Sequence, residues 1–355
     1  MRLEKRQALS RSALVLAPLA ALVATLLVAA LLVMWAGKPV GPTFALLIQG
    51  GFGSKFAWSE TLTRAIPLIL TGLAVAVAFR ARLFNIGAEG QFFAGALAAV
   101  AVGGMHGGTG FDLPMPLLFV LMMLAAAVAG ALMLLGPALL KARLGVDEVV
   151  TTLLLNFIMA LAVSALLDGP MKDPMALGWP QTVALQSELE LSRLLEGTRL
   201  HTGLIWAVVL AVMLWLLLER TVLGFDIRAT GANPKAAKFA GVGTLRTIVM
   251  TALISGGVAG LAGAIEVAGR ASYVTLDLSP GYGYTGIVIA MLAGLRPLGV
   301  LASAVLVAGI QVGADSMSRS VGVPTYIADV IVAAALIAVL IASLMTQYRI
   351  QWRAR

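Results

Sequence analysis

Long apolar runs separated by short polar stretches make up most of this chain. A helix that crosses a bilayer needs about twenty mostly apolar residues. The pattern therefore predicts about ten spanning helices. The eighth is short and flanked by glycine, which predicts a broken or partial helix whose backbone is satisfied by protein neighbours. The predicted spans are residues 13–36, 62–79, 83–102, 115–140, 149–167, 203–218, 247–268, 284–295, 298–313 and 326–345.

Two long polar interruptions divide the pattern. Residues 168–202 are rich in Pro, Glu and Ser and are expected to present a docking surface to an extracellular partner. Residues 220–246 form the second interruption, and a compact helix signal lies within them: Asn233 as N-cap, Pro234 at the first helical position and Gly241 as the stop.

Ala236 and Ala237 leave one side of this short helix without bulk. Two interpretations follow. Either the small side packs closely in a groove on another protein, or the segment is an ordinary solvated loop with one helical turn.

Composition agrees with a membrane protein. Hydrophobic residues make up 60% of the 355 residues and charged residues only 12%, with a mean hydropathy of +0.97. A soluble domain carries roughly 25% charged residues. We therefore expect an all-α polytopic membrane fold, with residues 1–355 as one transmembrane domain.

Lys and Arg are distributed unevenly between the predicted loops. With the N-terminus inside, 17 of the 25 basic residues lie on the cytoplasmic side and the remaining 8 lie outside. Short cytoplasmic loops retain positive charge, so both termini and residues 220–246 are expected to be cytoplasmic and residues 168–202 extracellular. This bias explains the net charge of +8. The basic residues lie at membrane edges without interleaved aromatic residues, so no nucleic-acid partner is expected.

The residues needed for metal binding, for catalysis and for ATP hydrolysis do not occur in recognisable patterns. The chain has no cysteine, and its two histidines, His106 and His201, belong to no metal-binding pattern, so no metal site is expected. No convincing nucleophile and base occur, and no GxxxxGK[ST] loop is present. The chain is therefore expected not to be an enzyme and not to hydrolyse ATP by a P-loop.

The stretch FRARLFNIGAEGQFFAGALAAV contains an acid, Glu89, among glycines and amides. A carboxylate at such depth costs about 2.5–3.5 kcal/mol on insertion scales, so it needs a partner or a wet cavity. Asn85, Glu89 and Gln91 either contact a polar solute in a water-filled path, or Glu89 pairs with Arg80 or Arg82 at the membrane edge and fixes the fold.

Two further polar residues lie inside predicted spans. Asn156 either faces the same path or hydrogen-bonds a neighbouring helix. Glu266 is expected near the outer end of its span and partly hydrated. It either serves the outer gate and binding-protein contact, or pairs with Arg270.

Five motifs together resemble the permease subunits of bacterial nucleoside ABC importers, in the superfamily of branched-chain amino acid, ribose and nucleoside permeases. Four are FNIGAEGQ at 84–91, DEVVTTLLLNFI at 147–158, SGGVAGLAGAIEVAG at 255–269 and GYGYTGIVIAMLAGLRPLG at 281–299. The fifth resembles the coupling helix of these permeases and comprises Gly231, Asn233, Ala236, Ala237 and Gly241. The chain departs from the family pattern at Arg82, where glycine is usual, and at Asp147, where asparagine is usual.

The resemblance implies a permease subunit that forms the path for a nucleoside-like solute, with a ribose-type sugar as the alternative solute. Its path residues would be Asn85, Glu89, Gln91, Asn156 and Glu266. Separate ATPase subunits would hydrolyse ATP and dock on residues 220–246, and this chain would hold no cofactor. A binding lipoprotein would deliver the solute, and a second permease, a paralogue, would complete a heterodimer in the bacterial inner membrane. An ion-coupled secondary transporter is the remaining alternative, with Glu89 and Glu266 as its only relay candidates.

Overall fold

The computed structural model describes residues 2–5, 11–104, 113–322, 326–327, 330, 333–334, 337–338, 341 and 348–351. Its side chains are described between residues 23 and 341 of these ranges. His106 and most of the predicted tenth span, 326–345, lie outside the described residues.

The described residues contain twelve helices, and the all-α polytopic fold predicted from the sequence is confirmed. A four-residue strand β1, Arg2–Lys5, pairs antiparallel with β2, Tyr348–Gln351. The helices are α1 Arg11–Trp35, α2 Val40–Phe52, α3 Lys55–Arg80, α4 Ala88–Gly103, α5 Met115–Leu144, α6 Glu148–Asp168, α7 Gly203–Arg220, α8 Val222–Ala232, α9 Pro234–Phe239, α10 Thr244–Glu266, α11 Tyr282–Leu292 and α12 Pro297–Val321.

The length and composition of the described helices show which of them could each cross a membrane alone. Among the described residues, six are long and apolar enough, namely α3, α5, α6, α7, α12 and α10 with its π-helical extension Val267–Ala271. The apolar helices α4 and α11 are shorter. The 11 residues of α11 span about 17 Å, well below the roughly 30 Å of a hydrocarbon core, so the prediction of a short eighth helix is confirmed.

The N-terminal region contains a helix that the sequence analysis missed. The predicted span 13–36 corresponds to α1, but the chain then turns at Gly37 (φ +70°) and continues as α2. The axes of Val23–Trp35 and Val40–Phe52 differ by 116°. The 13 residues of α2 are too few for a span and contain proline and glycine, so a search for long apolar runs passes over them.

The chain divides into two compact units, one of Met1–Thr61 with Leu306–Arg355 and one of Leu62–Val305. In the first unit, α2 and the second half of α12 approach backbone to backbone. A Cβ added at Gly51 would overlap the carbonyl of Gly309, and one added at Gly313 would overlap the carbonyl of Leu47. Small residues at both positions therefore allow this close packing.

In the second unit, α3 is enclosed by protein, because every residue from 65 to 78 is buried. The helices α4, α5 and α10 pack through glycine. A Cβ at Gly95 would overlap the backbone of Gly260, and one at Gly130 would overlap the carbonyl of Gly256. The glycine-alanine motif at 255–269 thus sets close helix contacts, as small residues do in membrane bundles.

The segment between α6 and α7 is folded rather than extended. Its backbone donates from Thr182 to the carbonyl of Val274, from Leu185 to Ser272 and from Leu191 to Ala268, at 3.0, 2.7 and 2.7 Å. Two leucines of this segment, Leu185 and Leu189, are buried. Residues 168–202 therefore cover the end of α10.

Candidate functional site

The turn between α3 and α4, residues 81–87, lies along a row of polar side chains on α6, here called the polar stripe. Glu148, Thr152 and Asn156 occur every fourth residue of α6, so they share one face. Each accepts a backbone N–H from the turn or from the start of α4: Phe84 N to Glu148 Oε1 at 3.1 Å, Ile86 N to Thr152 Oγ1 at 3.2 Å and Gly90 N to Asn156 Oδ1 at 2.9 Å. These three N–H groups have no acceptor within a helix of their own, and the side chains of the stripe supply one to each.

All three residues of the stripe lie in the motif at 147–158, but only Asn156 was predicted to have a role. The signal for Glu148 and Thr152 was their spacing of four on an otherwise apolar helix. Glu148 also forms an ion pair with Lys141, whose ammonium donates to the carbonyl of Arg82.

The side chain of Asn156 makes three hydrogen bonds to residues far from it in the sequence. Its amide nitrogen donates to the carbonyl of Ile86 at 2.8 Å and to the hydroxyl of Tyr284 at 3.2 Å, besides the bond that it accepts from Gly90. Asn156 is buried, whereas Tyr284 on α11 is 40% exposed. The structure therefore places Asn156 in contact with neighbouring helices, as the second interpretation of this residue predicted.

Asn85 and Gln91 form a reciprocal amide pair. Asn85 Nδ2 donates to Gln91 Oε1 at 2.9 Å, and Gln91 Nε2 donates to Asn85 Oδ1 at 2.8 Å. Asn85 also donates to Ser255 Oγ on α10 at 3.1 Å, and Ser255 donates to the carbonyl of Ala74 on α3. Both amides are buried, so this pair fixes the turn to α10 and α3.

Glu89 lies where two short helices begin. Its Oε2 accepts the N–H of Gly283 in the first turn of α11 at 2.6 Å, and the hydroxyl of Ser279 hydrogen-bonds the same carboxylate. A Cβ on Gly283 would overlap the backbone of Glu89, so glycine permits this approach. A carboxylate at a helix N-terminus is stabilised by the free N–H groups and by the helix dipole.

The alternative partners predicted for Glu89 are wrong. Arg80 forms an ion pair with Glu219 at 3.3 Å and donates to the carbonyl of Leu295 at 3.1 Å. The backbone carbonyl of Arg82 accepts from Lys141. Glu89 is thus held by α11 and not by the arginines that precede the turn.

Glu266 is completely buried, which contradicts the predicted partial hydration. It forms an ion pair with Arg270 one helical turn later, as the second interpretation of this residue predicted. The hydroxyl of Tyr282 hydrogen-bonds the same carboxylate, and Arg64 on α3 adds a nearby positive charge. A buried acid thus lies among two arginines and a phenol, which offset part of the cost of its burial.

Tyr282 lies next to both Glu89 and Glu266. It hydrogen-bonds Glu266, its backbone begins α11 beside Glu89, and its ring lies 5.8 Å from that of Phe92. Sequence reasoning missed Tyr282, because nothing in a single aromatic residue after glycine indicates a buried acid as its partner.

The short helix α9 begins and ends where the sequence predicted. Asn233 Oδ1 accepts from Lys235 N and Ala236 N at 3.0 and 3.2 Å, and Gly241 ends the segment with φ +87°. The preceding helix α8, capped by the Thr221 hydroxyl on Gly224 N at 3.1 Å, was not predicted.

The outward side of α9 differs from the prediction. Ala237 is 5% exposed and packs within the chain, so the prediction that Ala236 and Ala237 form one outward small side is wrong for Ala237. A Cβ at Gly231 would overlap the carbonyl of Arg80, so Gly231 also packs within the chain. Ala236 is exposed, and Phe239 is 97% exposed. The surface that α9 offers to a partner therefore centres on an aromatic residue.

His201 lies in the folded segment before α7. Its Nδ1 accepts from Gly203 N at 3.2 Å, and the ring packs against Gly203 and Gly269. Burial lowers the pKa of His201 to about 4, and the positive charge of Arg270 acts in the same direction. His201 is therefore neutral at physiological pH. Within the described ranges, no three His, Asp or Glu side chains gather as metal ligands.

Three known proteins to which the chain is similar are all named as ABC transporter permeases. The chain is 36% identical to the guanosine ABC transporter permease protein NupP of Bacillus subtilis over 90% of each chain. It is 33% identical to the nucleoside ABC transporter permease protein NupB of Lactococcus lactis, over 90% of this chain and 89% of that protein. It is 35% identical to the glucose ABC transporter permease protein TsgB13 of Haloferax volcanii, over 84% and 79% respectively.

A family model adds to these pairwise similarities. The model described as "branched-chain amino acid transport system / permease component" matches residues 57–340. The matched region contains α4, the polar stripe of α6, α9 and α11. It confirms the resemblance drawn from the five motifs, and the chain belongs to the family of branched-chain amino acid transport system permease components.

Proposed function

We propose that this chain is the permease subunit of an ABC importer and forms part of the path for a nucleoside-like solute. Two relatives that match nearly the whole chain are named for guanosine and for nucleosides. The observation that carries the proposal is the junction of α4 and α11, two short helices whose first turns meet at Glu89. Broken helices of this kind expose helix ends to a solute in transporters.

The path residues in this proposal are Asn85, Glu89, Gln91, Asn156 and Glu266. Their contacts are consistent with a role in the wall of the path: each fixes the backbone or side chain of a helix that starts or turns inside the apolar body. Tyr284, bonded to Asn156 and 40% exposed, extends this wall outward.

The energy source in this proposal is a separate ATPase subunit that binds α9, since the chain has no P-loop of its own. Phe239 supports this docking surface. An aromatic side chain that is 97% exposed is costly to leave in water and is typical of an anchor at a protein interface. Asn233, Ala236 and Gly241 then shape the helix that carries the anchor, while Gly231 and Ala237 fix it to the permease.

The remaining partners follow from the same proposal. A binding lipoprotein docks on residues 168–202, and a paralogous permease forms the other half of a heterodimer in the bacterial inner membrane. The distribution of Lys and Arg supports cytoplasmic termini.

The experiment is uptake by proteoliposomes that contain the complete transporter with its binding lipoprotein. Radiolabelled guanosine, ribose, glucose and leucine are offered in turn, with and without ATP inside. We expect ATP-dependent uptake of guanosine and little of the others. Uptake of ribose, glucose or leucine in preference to guanosine would overturn the proposed solute, and ATP-independent uptake abolished by an ionophore would overturn the proposed energy source.

A further inference from the structure

A cavity of about 750 Å³ opens where α7 ends and α12 begins. Its lining includes Trp215, Glu219 and Arg220 from α7, and Arg296 and Leu298 at the start of α12. None of these residues belongs to the polar junction at Glu89 or to the outward side of α9. The cavity is therefore a separate feature of the second unit.

The charge of the cavity is positive. Its one acid, Glu219, already forms ion pairs with Arg80 at 3.3 Å and with Arg228 at 3.8 Å. Arg220 and Arg296 are exposed, and within the part of the chain that the structure describes neither side chain forms an ion pair or hydrogen bond. Two arginines thus remain available to an anion, and guanidinium groups bind phosphate oxygens in pairs.

The cavity also has an apolar part. Trp215 precedes the end of α7 by five residues, which places it about 7–8 Å further into the span than Arg220. Leu216 beside it is 44% exposed, as are other apolar residues along this helix, so the apolar wall continues onto the outer side of α7. A tryptophan ring at this depth is typical of the membrane interface.

We propose that this cavity binds the headgroup of an anionic phospholipid. Arg220 and Arg296 contact the phosphate, while an acyl chain lies along Trp215 and the exposed side of α7. Basic cavities between membrane helices bind anionic headgroups in this way. A free phosphate would use the arginines but would leave the apolar wall uncovered.

The test is native mass spectrometry of the assembled transporter in mild detergent, titrated with phosphatidylglycerol, phosphatidylcholine or inorganic phosphate. We expect phosphatidylglycerol to bind the parent more tightly than phosphatidylcholine. Arg220→Gln or Arg296→Gln alone should weaken it about fivefold, and the double variant roughly 25-fold. Arg246→Gln, which removes an exposed arginine outside the cavity, should leave binding unchanged.

Two further variants distinguish lipid binding from a folding defect and from the binding of phosphate alone. The double variant Arg220→Lys with Arg296→Lys keeps both charges and should bind phosphatidylglycerol more tightly than the double glutamine variant, a difference that a folding defect caused by loss of the arginines would not produce. Trp215→Ala should weaken phosphatidylglycerol but leave any binding of inorganic phosphate unchanged.

Four results would overturn the proposal. They are equal binding of phosphatidylglycerol by the parent and the double glutamine variant, equal binding of the two lipids by the parent, complete displacement of the lipid by inorganic phosphate, and binding of phosphatidylglycerol by the permease without its ATPase subunits but not by the assembled transporter. The last result would show that a protein partner occupies the cavity.

Discussion

At the scale of single residues, several buried polar side chains of this membrane protein are paired with groups of the same chain. Glu89 accepts from Gly283, Asn85 pairs with Gln91, and Glu266 pairs with Arg270. Such matching is required where little water is available, because an unsatisfied buried polar group costs several kcal/mol in a low-dielectric environment. Removing one partner therefore tests each pair.

Glu89→Gln keeps the volume of the side chain and removes its charge. An amide oxygen accepts from Gly283 N more weakly than a carboxylate, by about 1–2 kcal/mol, and no longer complements the start of α11. We expect the variant to assemble and to import labelled solute about tenfold more slowly in proteoliposomes. Asp277→Asn, which also neutralises an acid but at an exposed position outside the proposed path and docking segments, is the control and should transport normally. Parent rates in Glu89→Gln would mean that the charge has no role in transport.

Thr152→Val removes the acceptor for Ile86 N and leaves that half-buried donor unsatisfied. We expect it to destabilise the permease by about 1–3 kcal/mol, seen as a lower thermal midpoint in detergent. Its neighbour Thr151 bonds only carbonyls of its own helix, at Asp147 and Glu148, so Thr151→Val is the control and should unfold like the parent. Equal midpoints for the two variants would show that the stripe does not hold the turn.

At the scale of elements, α9 has two sides with different tasks. Ala237 packs inward and Phe239 points out, so substitutions two positions apart on one six-residue helix should have different consequences. The inward side supports the fold, and the outward side meets the proposed ATPase.

Phe239→Ala should release the ATPase subunit without unfolding the permease. An interface anchor contributes about 2 kcal/mol or more, which corresponds to roughly a 30-fold weaker complex. Copurification with tagged ATPase measures the loss, and the thermal midpoint of the permease should not change. Ala236→Arg, also outward, should impair the same complex by introducing a long side chain.

Ala237→Arg is the contrasting variant, because the new side chain would overfill the permease itself and should lower its thermal midpoint. If Phe239→Ala and Ala236→Arg both retain the ATPase and transport normally, α9 is not the docking element.

At the scale of the whole molecule, the two segments at the ends of α7 provide a test of orientation. This helix has 18 residues and a length of about 27 Å, so residues 168–202 and 220–246 lie at opposite membrane surfaces if α7 crosses the bilayer.

The chain has no native cysteine, so single cysteines report their own location. Ser187→Cys and Lys238→Cys both place the thiol at an exposed position. We expect an impermeant maleimide to label the first in intact cells and the second only after permeabilisation. The reverse order of labelling would invert the topology.

Features that depend on neighbours along the chain could be predicted from the sequence alone. The lengths of the apolar runs predicted most of the membrane helices. Asn233, Pro234 and Gly241 predicted the ends of α9, since helix caps and helix starts are local interactions. Local pattern also marked Glu89 and Asn156 as unusual, because a polar group in an apolar run is visible without any structure.

The partners of these polar residues could not be predicted in this way. Glu89 meets Gly283, which is 194 residues away in the sequence, and Tyr282 meets Glu266 from another helix. The inward direction of Ala237 likewise follows from packing. Hydrogen bonds between distant segments depend on how helices pack in space, and spacing along one chain carries no measure of that distance.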